Sequence, residues 1–376
     1  MDKKGRPFSY APTDMMMQLL HRIDREAGGM IMTDSKSVLT PVERDRYLIT
    51  SLAEESIMSS LLEGAAVTRS EARDLIRSER HPRTPHEQMV LNNYHTMQMI
   101  LQHSRDPLTP DGILAIHRSM TTGTLRHPEQ AGQLRRACDQ VRIEDERTGD
   151  IIHEPPPAAE LPQRMEALCR LANADDSPYL HPVLRAILLH FQLAYDHPFT
   201  DGNGRTARAL FYRSMLRAGY WLFEYISISH EICLHPSSYY ESFIDCEEDA
   251  GDLNYFILDQ LNTILCSVRS LTEHVRNKQR EHEQLEEKLG AMHELNHRQK
   301  ALLLHLLRHP DCSTTVPLHC RDYKVVRQTA RTDLRQLADL GLLRCTLQAR
   351  THCFSPVPHM EQRLQALARE RAEKGH

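Results

Sequence analysis

Aromatic residues and glycine are scarce in this chain of 376 residues. Aromatics make up 6% of it, with a single tryptophan, and only 15 residues are glycine. Sheets are typically rich in aromatic residues and joined by glycine-containing turns, so this scarcity argues against a mainly β fold. The abundant residues, Leu, Ala, Arg, Glu and Gln, favour helices. The composition therefore predicts a mainly α protein.

Long apolar runs and paired cysteine motifs are missing as well. The longest stretch without a charge, Gln88–Ser104, carries polar side chains throughout and is too polar to span a bilayer. The first residues, MDKKGRPFSYAPTD, lack the apolar segment of a signal peptide. The nine cysteines are odd in number and form no C-x-x-C motif, which indicates free thiols in a reducing compartment. We therefore expect a cytoplasmic protein with no membrane partner.

Excess positive charge is absent from the chain as a whole, which has a net charge of −5. This excludes a polycation that coats nucleic acid along its whole length. One segment departs from the average: residues 297–355 contain ten Arg or Lys, four Asp and no Glu. Any nucleic-acid contact is expected there.

Helical patterns fill most of the chain, with one strand-like interruption. Thr84-Pro85 and Thr109-Pro110 are typical helix starts. Near Val141 and Ile143, apolar residues alternate with polar ones, and a turn at Thr148–Asp150 follows. We predict a single β-hairpin in a helical core.

The most informative stretch is HPFTDGNGRTAR, residues 197–208. A glycine-rich turn that feeds a helix directs several backbone N–H groups at one point and forms a cradle for an anion. Arg205 and Arg208 share a helix face, and two guanidiniums beside such a cradle suit a polyphosphate. Asp201 is placed to hold Mg²⁺ on bound phosphates, and His197 is placed to accept a proton. This combination is typical of a nucleotidyl or phosphoryl transferase.

The same stretch resembles the signature of the Fic family, His-x-Phe-x-Asp/Glu-Gly-Asn-Gly-Arg-x-x-Arg, at every fixed position. Gly132-Gln133-Leu134-Arg135 and the following hairpin resemble the family's flap, which holds the target segment, and Tyr239-Tyr240 resembles a pair that lines the nucleotide pocket. One departure is Asp196, where the family often has an apolar residue. The resemblance covers roughly residues 109–261.

The resemblance implies transfer of AMP from ATP to a Ser, Thr or Tyr hydroxyl of a target protein, and the chain itself stays open as one such target. His197 would be the catalytic base, and Asp201 would hold Mg²⁺. The implied ATP-binding residues are Gly202, Asn203, Gly204, Arg205, Arg208 and Tyr240. Gly204 stands where phosphorylating Doc-type relatives carry Lys, which favours AMP as the transferred group.

A second motif, Ser59-Ser60-Leu61-Leu62-Glu63-Gly64, resembles the family's inhibitory pattern Ser/Thr-x-x-x-Glu-Gly/Asn. Glu63 would end a helix, where a carboxylate opposes the helix dipole, and a cation would offset this. The resemblance nominates Arg208 as that cation, so that Glu63 would block the γ-phosphate. Ser59, Glu63 and Gly64 are thus the predicted inhibitory residues. In some relatives the same glutamate supports removal of AMP, and this second activity stays open.

The basic segment near the C-terminus resembles a winged helix-turn-helix. Arg327, Arg331 and Arg335 recur every four residues on one predicted helix, followed by short strands. Two roles stay open for it: contact with DNA, or contact with protein. The stretch His293-Glu294-Leu295-Asn296-His297 matches the zinc pattern H-E-x-x-H, but a charged linker surrounds it and no third ligand follows.

The predicted fold class is mainly α: a Fic-type helical core with one β-hairpin flap and a C-terminal winged helix-turn-helix. Alternatives to the adenylyltransferase are a DNA-binding regulator that senses nucleotide, and a Fic transferase of another phosphate-containing group. A homodimer is one open assembly. The predicted domains are residues 1–105, helical with the inhibitory helix at about 45–64; 106–272, catalytic; 273–295, a charged connecting helix; 296–357, winged helix-like; and 358–376, a tail.

Overall fold

A computed structural model of the chain describes residues 1–27, 41–144, 149, 151–174, 179–292, 295–308, 312–348, 351–360, 362–364 and 366–367. Two compact units are present, Met1–Glu273 and His274–His376. Thr148 and Asp150 of the predicted turn, and His293 and Glu294 of the zinc pattern, lie outside the described residues. In the described part, no helix is both long and apolar enough to cross a membrane.

The first unit is built mainly from α-helices, which confirms the fold class predicted from composition. A short hairpin pairs β1 (Ile143–Glu144) with β2 (Ile151–His153) in antiparallel fashion, as predicted. The helices are α1 (Asp14–Ala27), α2 (Pro41–Leu62), α3 (Arg69–Ser78), α4 (Pro85–His103), α5 (Pro110–Thr121), α6 (Leu161–Asn173), α7 (Pro182–Asp196), α8 (Asn203–Arg217), α9 (Ile228–Leu234), α10 (Pro236–Glu248) and α11 (Asn254–Ala291), which continues beyond the unit's last residue.

Helix starts in this unit follow local chemistry. Thr84 caps α4 by accepting the backbone N–H of Glu87, and Thr109 caps α5 in the same way through Gly112. In both helices proline occupies the first turn, where its missing N–H costs nothing. These boundaries match the predicted starts because capping depends on neighbours in the sequence.

The core of the first unit surrounds α7 and α8. These two helices pack on each other along their length, and α8 also contacts α4, α5 and α2. Their apolar side chains are almost completely buried, among them Ile187, Phe191, Leu210 and Phe211. The loop between α7 and α8 is therefore anchored at both ends by a packed core.

The second unit combines helices with a three-stranded antiparallel sheet. Its elements after α11 are α12 (His297–Arg308), β3 (Thr314–Thr315), α13 (Val316–Tyr323), α14 (Arg327–Asp339), β4 (Leu343–Gln348) and β5 (Thr351–Pro356), with strand order β3-β5-β4. Leu303, Leu306, Leu334, Leu337 and Phe354 form the centre of its apolar core. All nine cysteines of the chain are free thiols, as predicted.

Candidate active site

The loop from His197 to Gly202 and the first two turns of α8 carry most of the predicted site. His197 ends α7 in a left-handed conformation with φ +43°, and Gly202 precedes α8 with φ +82°. A Cβ on Gly202 would lie 2.8 Å from the Thr121 side chain, so only glycine fits there. The loop therefore delivers the N-terminus of α8, with its unpaired N–H groups, to the site.

Asn203 holds the loop in shape through its amide group. Its Oδ1 accepts the backbone N–H of Phe199 at 2.9 Å, and its Nδ2 donates to the Phe199 carbonyl at 2.9 Å. Phe199 itself is fully buried. The structure thus gives Asn203 a positioning role, and its predicted contact with a nucleotide stays a prediction.

His117 on α5 supports the same loop and was missed in the sequence. Its ring stacks on Phe199 with centroids 3.7 Å apart. Its Nδ1 accepts the backbone N–H of Gly132, so Nε2 carries the proton and donates to the Asp201 carbonyl at 2.9 Å. Burial lowers the pKa of His117 to about 4. His117 is therefore a neutral bridge between the start of the flap and the loop.

His197 has the geometry of a base. Its Nδ1 lies 3.2 Å from the carbonyl of Ala194, to which it donates, so Nε2 is left without a proton. Burial lowers the pKa of His197 to about 4, and the nearby His153 and Arg135 also lower it. The imidazole is consequently neutral at physiological pH and able to accept a proton.

Asp201 and Arg205 form an ion pair within the loop and the first turn of α8. Arg205 Nη2 lies 3.3 Å from Asp201 Oδ1, and Arg205 Nη1 donates to the Met120 carbonyl. Arg205 is fully buried, whereas the Asp201 side chain is 51% exposed. A single accessible carboxylate beside an anion cradle fits Mg²⁺ that completes its shell with phosphate oxygens. Among the described residues, no cluster of three or more His, Cys, Asp or Glu could hold a metal by itself.

Arg208 lies one turn further along α8 and points to α2. Its Nη2 donates to Glu63 Oε1 at 2.9 Å and to the Ser59 carbonyl at 3.0 Å, and its Nε donates to Ser59 Oγ at 2.9 Å. Burial alone would lower the pKa of this guanidinium, but the Glu63 carboxylate outweighs it and raises the pKa. The structure thus brings Ser59, Glu63 and Arg208 together. Arg205 and Arg208 engage different helices rather than one common point.

Two glycines allow Glu63 to reach this position. Gly64 has φ +78° and ends α2 with paired bonds, from its own N–H to Leu61 and from the Ala65 N–H to Ser60. On the other side, a Cβ on Gly204 would collide with the Glu63 carboxylate. The carboxylate therefore rests against the first turn of α8 beside Gly204, a residue predicted to bind phosphate.

Arg135 of the predicted flap clamps the motif loop from outside. Its Nε donates to the His197 carbonyl at 2.8 Å, and its Nη2 donates to the Pro156 carbonyl at 2.5 Å. Its backbone N–H also donates to Pro198. The side chain is buried, so Arg135 joins the flap, Pro156 and the loop at one point.

The predicted nucleotide residue Tyr240 is placed less directly. It is half exposed on α10, and its ring packs edge-on against Tyr239 at 5.3 Å. Tyr239 is buried, and its hydroxyl lies 3.0 Å from His190 Nε2. Tyr239 is also close enough to Arg208 for the guanidinium to act on its pKa, which burial raises. The tyrosine pair thus borders the site through Tyr239.

Asp196, the departure from the family pattern, is accommodated by an ion pair. Its Oδ1 accepts from Arg164 Nη1 at 3.0 Å and from Gln192 Nε2 at 2.9 Å. Burial raises the pKa of this carboxyl, and Arg164 and Gln192 counter that. A polar residue is therefore tolerated directly before His197.

Comparison with known families finds one match. Residues 107–215 match the model of the Fic/DOC family. This segment of the chain is similar to the Fic/DOC family.

Curated relatives match over part of their length. A "Protein adenylyltransferase Fic" from Nematostella vectensis is 39% identical over 115 residues, 31% of this chain and 24% of that protein. One of the same name from Culex quinquefasciatus is 30% identical over 175 residues, 43% of this chain and 32% of that protein. The chain thus spans about a quarter to a third of the length of these relatives.

Solved structures share the fold more broadly. A Fic family protein from Desulfovibrio desulfuricans G20 aligns with a TM-score of 0.62 at 20% identity, over 94% of this chain and 98% of that one. Fic-1 from C. elegans aligns with a TM-score of 0.55 at 20% identity, over 70% of this chain and 74% of that one. At these identities the likeness concerns the fold.

Proposed function

We propose that this protein is a protein adenylyltransferase that moves AMP from ATP to a hydroxyl side chain of a protein and is held inactive by Glu63. The observation that carries the proposal is the ion pair between Arg208 and Glu63, 2.9 Å long, at the N-terminus of α8. It occurs beside a complete Fic loop whose histidine has a free Nε2. The name of the curated relatives supports the same activity.

The reaction follows from the arrangement of the loop. His197 Nε2 takes the proton of the attacking hydroxyl, a bond forms from that oxygen to the α-phosphorus, and the bond to the pyrophosphate oxygen breaks. The N–H groups around Gly202 and Gly204 stabilise the negative charge on the α-phosphate. Bound at Asp201, Mg²⁺ would supply charge neutralisation on the phosphates. Arg205 and Arg208 are proposed to bind the β- and γ-phosphates.

Glu63 opposes this reaction by competition for Arg208. A guanidinium cannot serve a carboxylate and a γ-phosphate in the same geometry, since both need the same N–H groups. The Glu63 carboxylate also rests against Gly204, so a phosphate on the first turn of α8 would meet a negative charge. Without Glu63, the triphosphate can occupy Arg208 and place its α-phosphorus in line with the hydroxyl.

Labelled ATP with Mg²⁺ tests the proposal through the full chain's modification of itself. Glu63→Gly should raise incorporation of label about tenfold to a hundredfold, because a charge-assisted hydrogen bond contributes about 1.5–3 kcal/mol. Glu63→Gly combined with His197→Ala should be silent while ATP binding persists, since the phosphates are held by other groups. A label on the α-phosphate must be incorporated and a label on the γ-phosphate must not.

Three results would count against the proposal. Equal activity of wild type and Glu63→Gly would show that Glu63 does not inhibit the reaction. Activity that survives His197→Ala would assign the base elsewhere. Silence of every variant despite ATP binding would favour the alternative of a nucleotide sensor.

We propose a second function for the second unit, contact with DNA through a winged helix. The three arginines Arg327, Arg331 and Arg335 are all exposed on α14, whose opposite face buries Leu334 and Leu337 in the core. We call them the α14 arginines. The order helix, strand, helix, helix and two paired strands agrees with a winged helix-turn-helix, in which the last helix enters the major groove. Its test is salt-dependent DNA binding, described in the Discussion.

A further inference from the structure

Helices α2 and α8 meet along a row of polar contacts that runs in opposite directions on the two helices. Each helix contributes residues spaced four apart, so each set lies on one face. The facing pairs are Gly204 with Glu63, Arg208 with Ser59 and Glu63, and Tyr212 with Glu55. The Fic signature and the inhibitory pattern account for the first two pairs. Neither accounts for the third.

Glu55 is the most heavily bonded carboxylate of this row. Its Oε2 accepts from the Tyr212 hydroxyl at 2.8 Å, the Ser227 hydroxyl at 2.8 Å and the Ser229 N–H at 3.1 Å. Its Oε1 accepts from the Ser229 hydroxyl at 2.5 Å. The side chain is only 2% exposed. One carboxylate thus joins α2 to α8 and to the start of α9.

Such an anchor fixes position more strictly than apolar packing does. A buried carboxylate is stable only while donors surround it, so any slide or rotation of α2 that breaks these bonds leaves a charge without water. Apolar side chains can repack after a small shift at lower cost. The Glu55 contacts therefore define one register of α2 on α8, and this register places Glu63 on Arg208 eight residues later.

Other polar contacts of α2 lead away from α8. Glu54 pairs with Arg69 and Arg73 of α3 and lies 3.6 Å from His230 of α9. Asn93 on α4 donates to the Ser56 carbonyl at 3.1 Å. These contacts connect α2 to α3, α4 and α9, whereas Glu55 also bonds to the helix that carries the Fic signature.

We propose that Glu55 is a positioning residue for autoinhibition: it holds α2 in the register in which Glu63 occupies Arg208. The inference rests on the proposed function, in which that occupation restrains AMP transfer. Ser229 is its main partner outside α2, with both its N–H and its hydroxyl bound to the carboxylate. Removing either Glu55 or its partner Ser229 should therefore relieve the inhibition, although the residues at the inhibitory contact are unchanged.

The experiment compares Glu55→Ala with Ser229→Ala, which removes a donor without changing α2, and with Glu54→Ala as matched control. The full chain is used, and circular dichroism establishes folding. Glu55→Ala should raise self-modification by about tenfold, in proportion to the lost charge-assisted bonds, and Ser229→Ala should raise it less. Glu54→Ala should stay within about twofold of wild type, since its partners Arg69, Arg73 and His230 lie on α3 and α9 and not on α8.

The same substitutions in a Glu63→Gly background separate positioning from a general effect on the site. There, none should change the rate by more than about twofold, because no inhibitory carboxylate is left to position. Amide hydrogen exchange over residues 56–63 gives a readout that needs no AMP transfer. It should be faster in Glu55→Ala and Ser229→Ala than in Glu54→Ala.

Several outcomes would contradict the proposed positioning role of Glu55. Unchanged exchange over residues 56–63 in Ser229→Ala and in folded Glu55→Ala would do so, as would an equal rise in rate with and without Glu63. Wild-type rates in both variants, beside an active Glu63→Gly, would do so too. If Glu55→Ala does not fold, Ser229→Ala decides. If Glu63→Gly shows no transfer at all, the proposed function fails, and the exchange data still judge the anchor.

Discussion

Arginines occur in two opposite environments in this protein. Arg205 and Arg208 on α8 are buried, and each is bound to named partners on other segments. The α14 arginines of the second unit are exposed side by side on one helix face. A buried guanidinium binds only the partners that its surroundings place within reach. A row of exposed arginines attracts any polyanion, and salt screens this attraction. The first arrangement supports a controlled site, and the second supports a broad surface.

The largest expected effect comes from removing one arginine of each kind. Arg208→Ala should lower the free energy of unfolding by about 2–4 kcal/mol, because the Glu63 carboxylate and the Ser59 carbonyl lose their donor. Arg331→Ala should change it by less than about 0.5 kcal/mol, as surface substitutions do. Urea unfolding of both variants measures the difference. Equal losses would show that burial does not separate the two groups.

Asp201→Asn tests the carboxylate that contacts the buried Arg205. In the Glu63→Gly background we expect a loss of about a hundredfold in AMP transfer, since the neutral amide holds Mg²⁺ poorly while the phosphates still need it. The rate measured against Mg²⁺ concentration should also lose most of its response. Glu129→Gln is the control, an exposed acid before the flap. An unaltered Mg²⁺ response in Asp201→Asn would assign the metal to another ligand.

Salt dependence tests the exposed arginines. If the full chain binds duplex DNA, replacing the three α14 arginines by Gln should weaken binding to all sequences and reduce the slope of log K against log salt by about 3. The matched control replaces Arg77, Arg126 and Arg170, which are exposed in the first unit. Electrophoretic or fluorescence titration at several salt concentrations gives the slopes. An equal loss of DNA affinity in the control would show that the effect depends only on the net charge of the chain.

The last prediction concerns pH. Burial lowers the pKa of His117 to about 4. As the pH falls below about 6.5, this histidine therefore binds a proton in the unfolded chain but not in the folded chain. Stability should therefore fall as pH falls from about 6.5 to about 4, by at most about 1.4 kcal/mol per pH unit for this group. Burial lowers the pKa of His197 to about 4 and that of His190 to about 3, and both act in the same direction.

His117→Asn isolates this contribution, because the Asn Oδ1 can still accept the Gly132 N–H. Urea unfolding at about pH 5 and about pH 7 should show a smaller difference in the variant than in wild type. The same difference in both proteins would mean that His117 titrates normally in the fold. An exposed histidine such as His21, replaced by Asn, serves as reference.

Local chemistry could be predicted from sequence, and the contacts that complete the site could not. The starts of α4 and α5 follow from Thr-Pro pairs, and the loop at Gly202 follows from a contiguous signature. Glu55 instead meets Tyr212, 157 residues away, and His117 meets Asp201, 84 residues away. A glutamate within a helical pattern or a histidine on an apolar face carries no sign of such a distant partner.

The partners of the two α8 arginines could not be predicted from their spacing in the sequence either. Arg205 and Arg208 are three residues apart, a spacing that places both on one helix face. In the structure Arg205 turns to Met120 and Asp201, while Arg208 turns to Ser59 and Glu63. Long side chains reach whichever carbonyls and carboxylates neighbouring helices offer, and these depend on packing.

The number of residues between Glu55 and Glu63 also sets the direction in which the Glu63 side chain points. Eight residues span about 12 Å, and each residue advances the side chains by about 100° around the axis. A single alanine inserted between these two residues would keep every contact group and every charge, yet it would turn Glu63 away from Arg208. The proposed inhibition would depend on the rotation of α2 about its axis, so insertions and deletions in α2 would test it as directly as substitutions do.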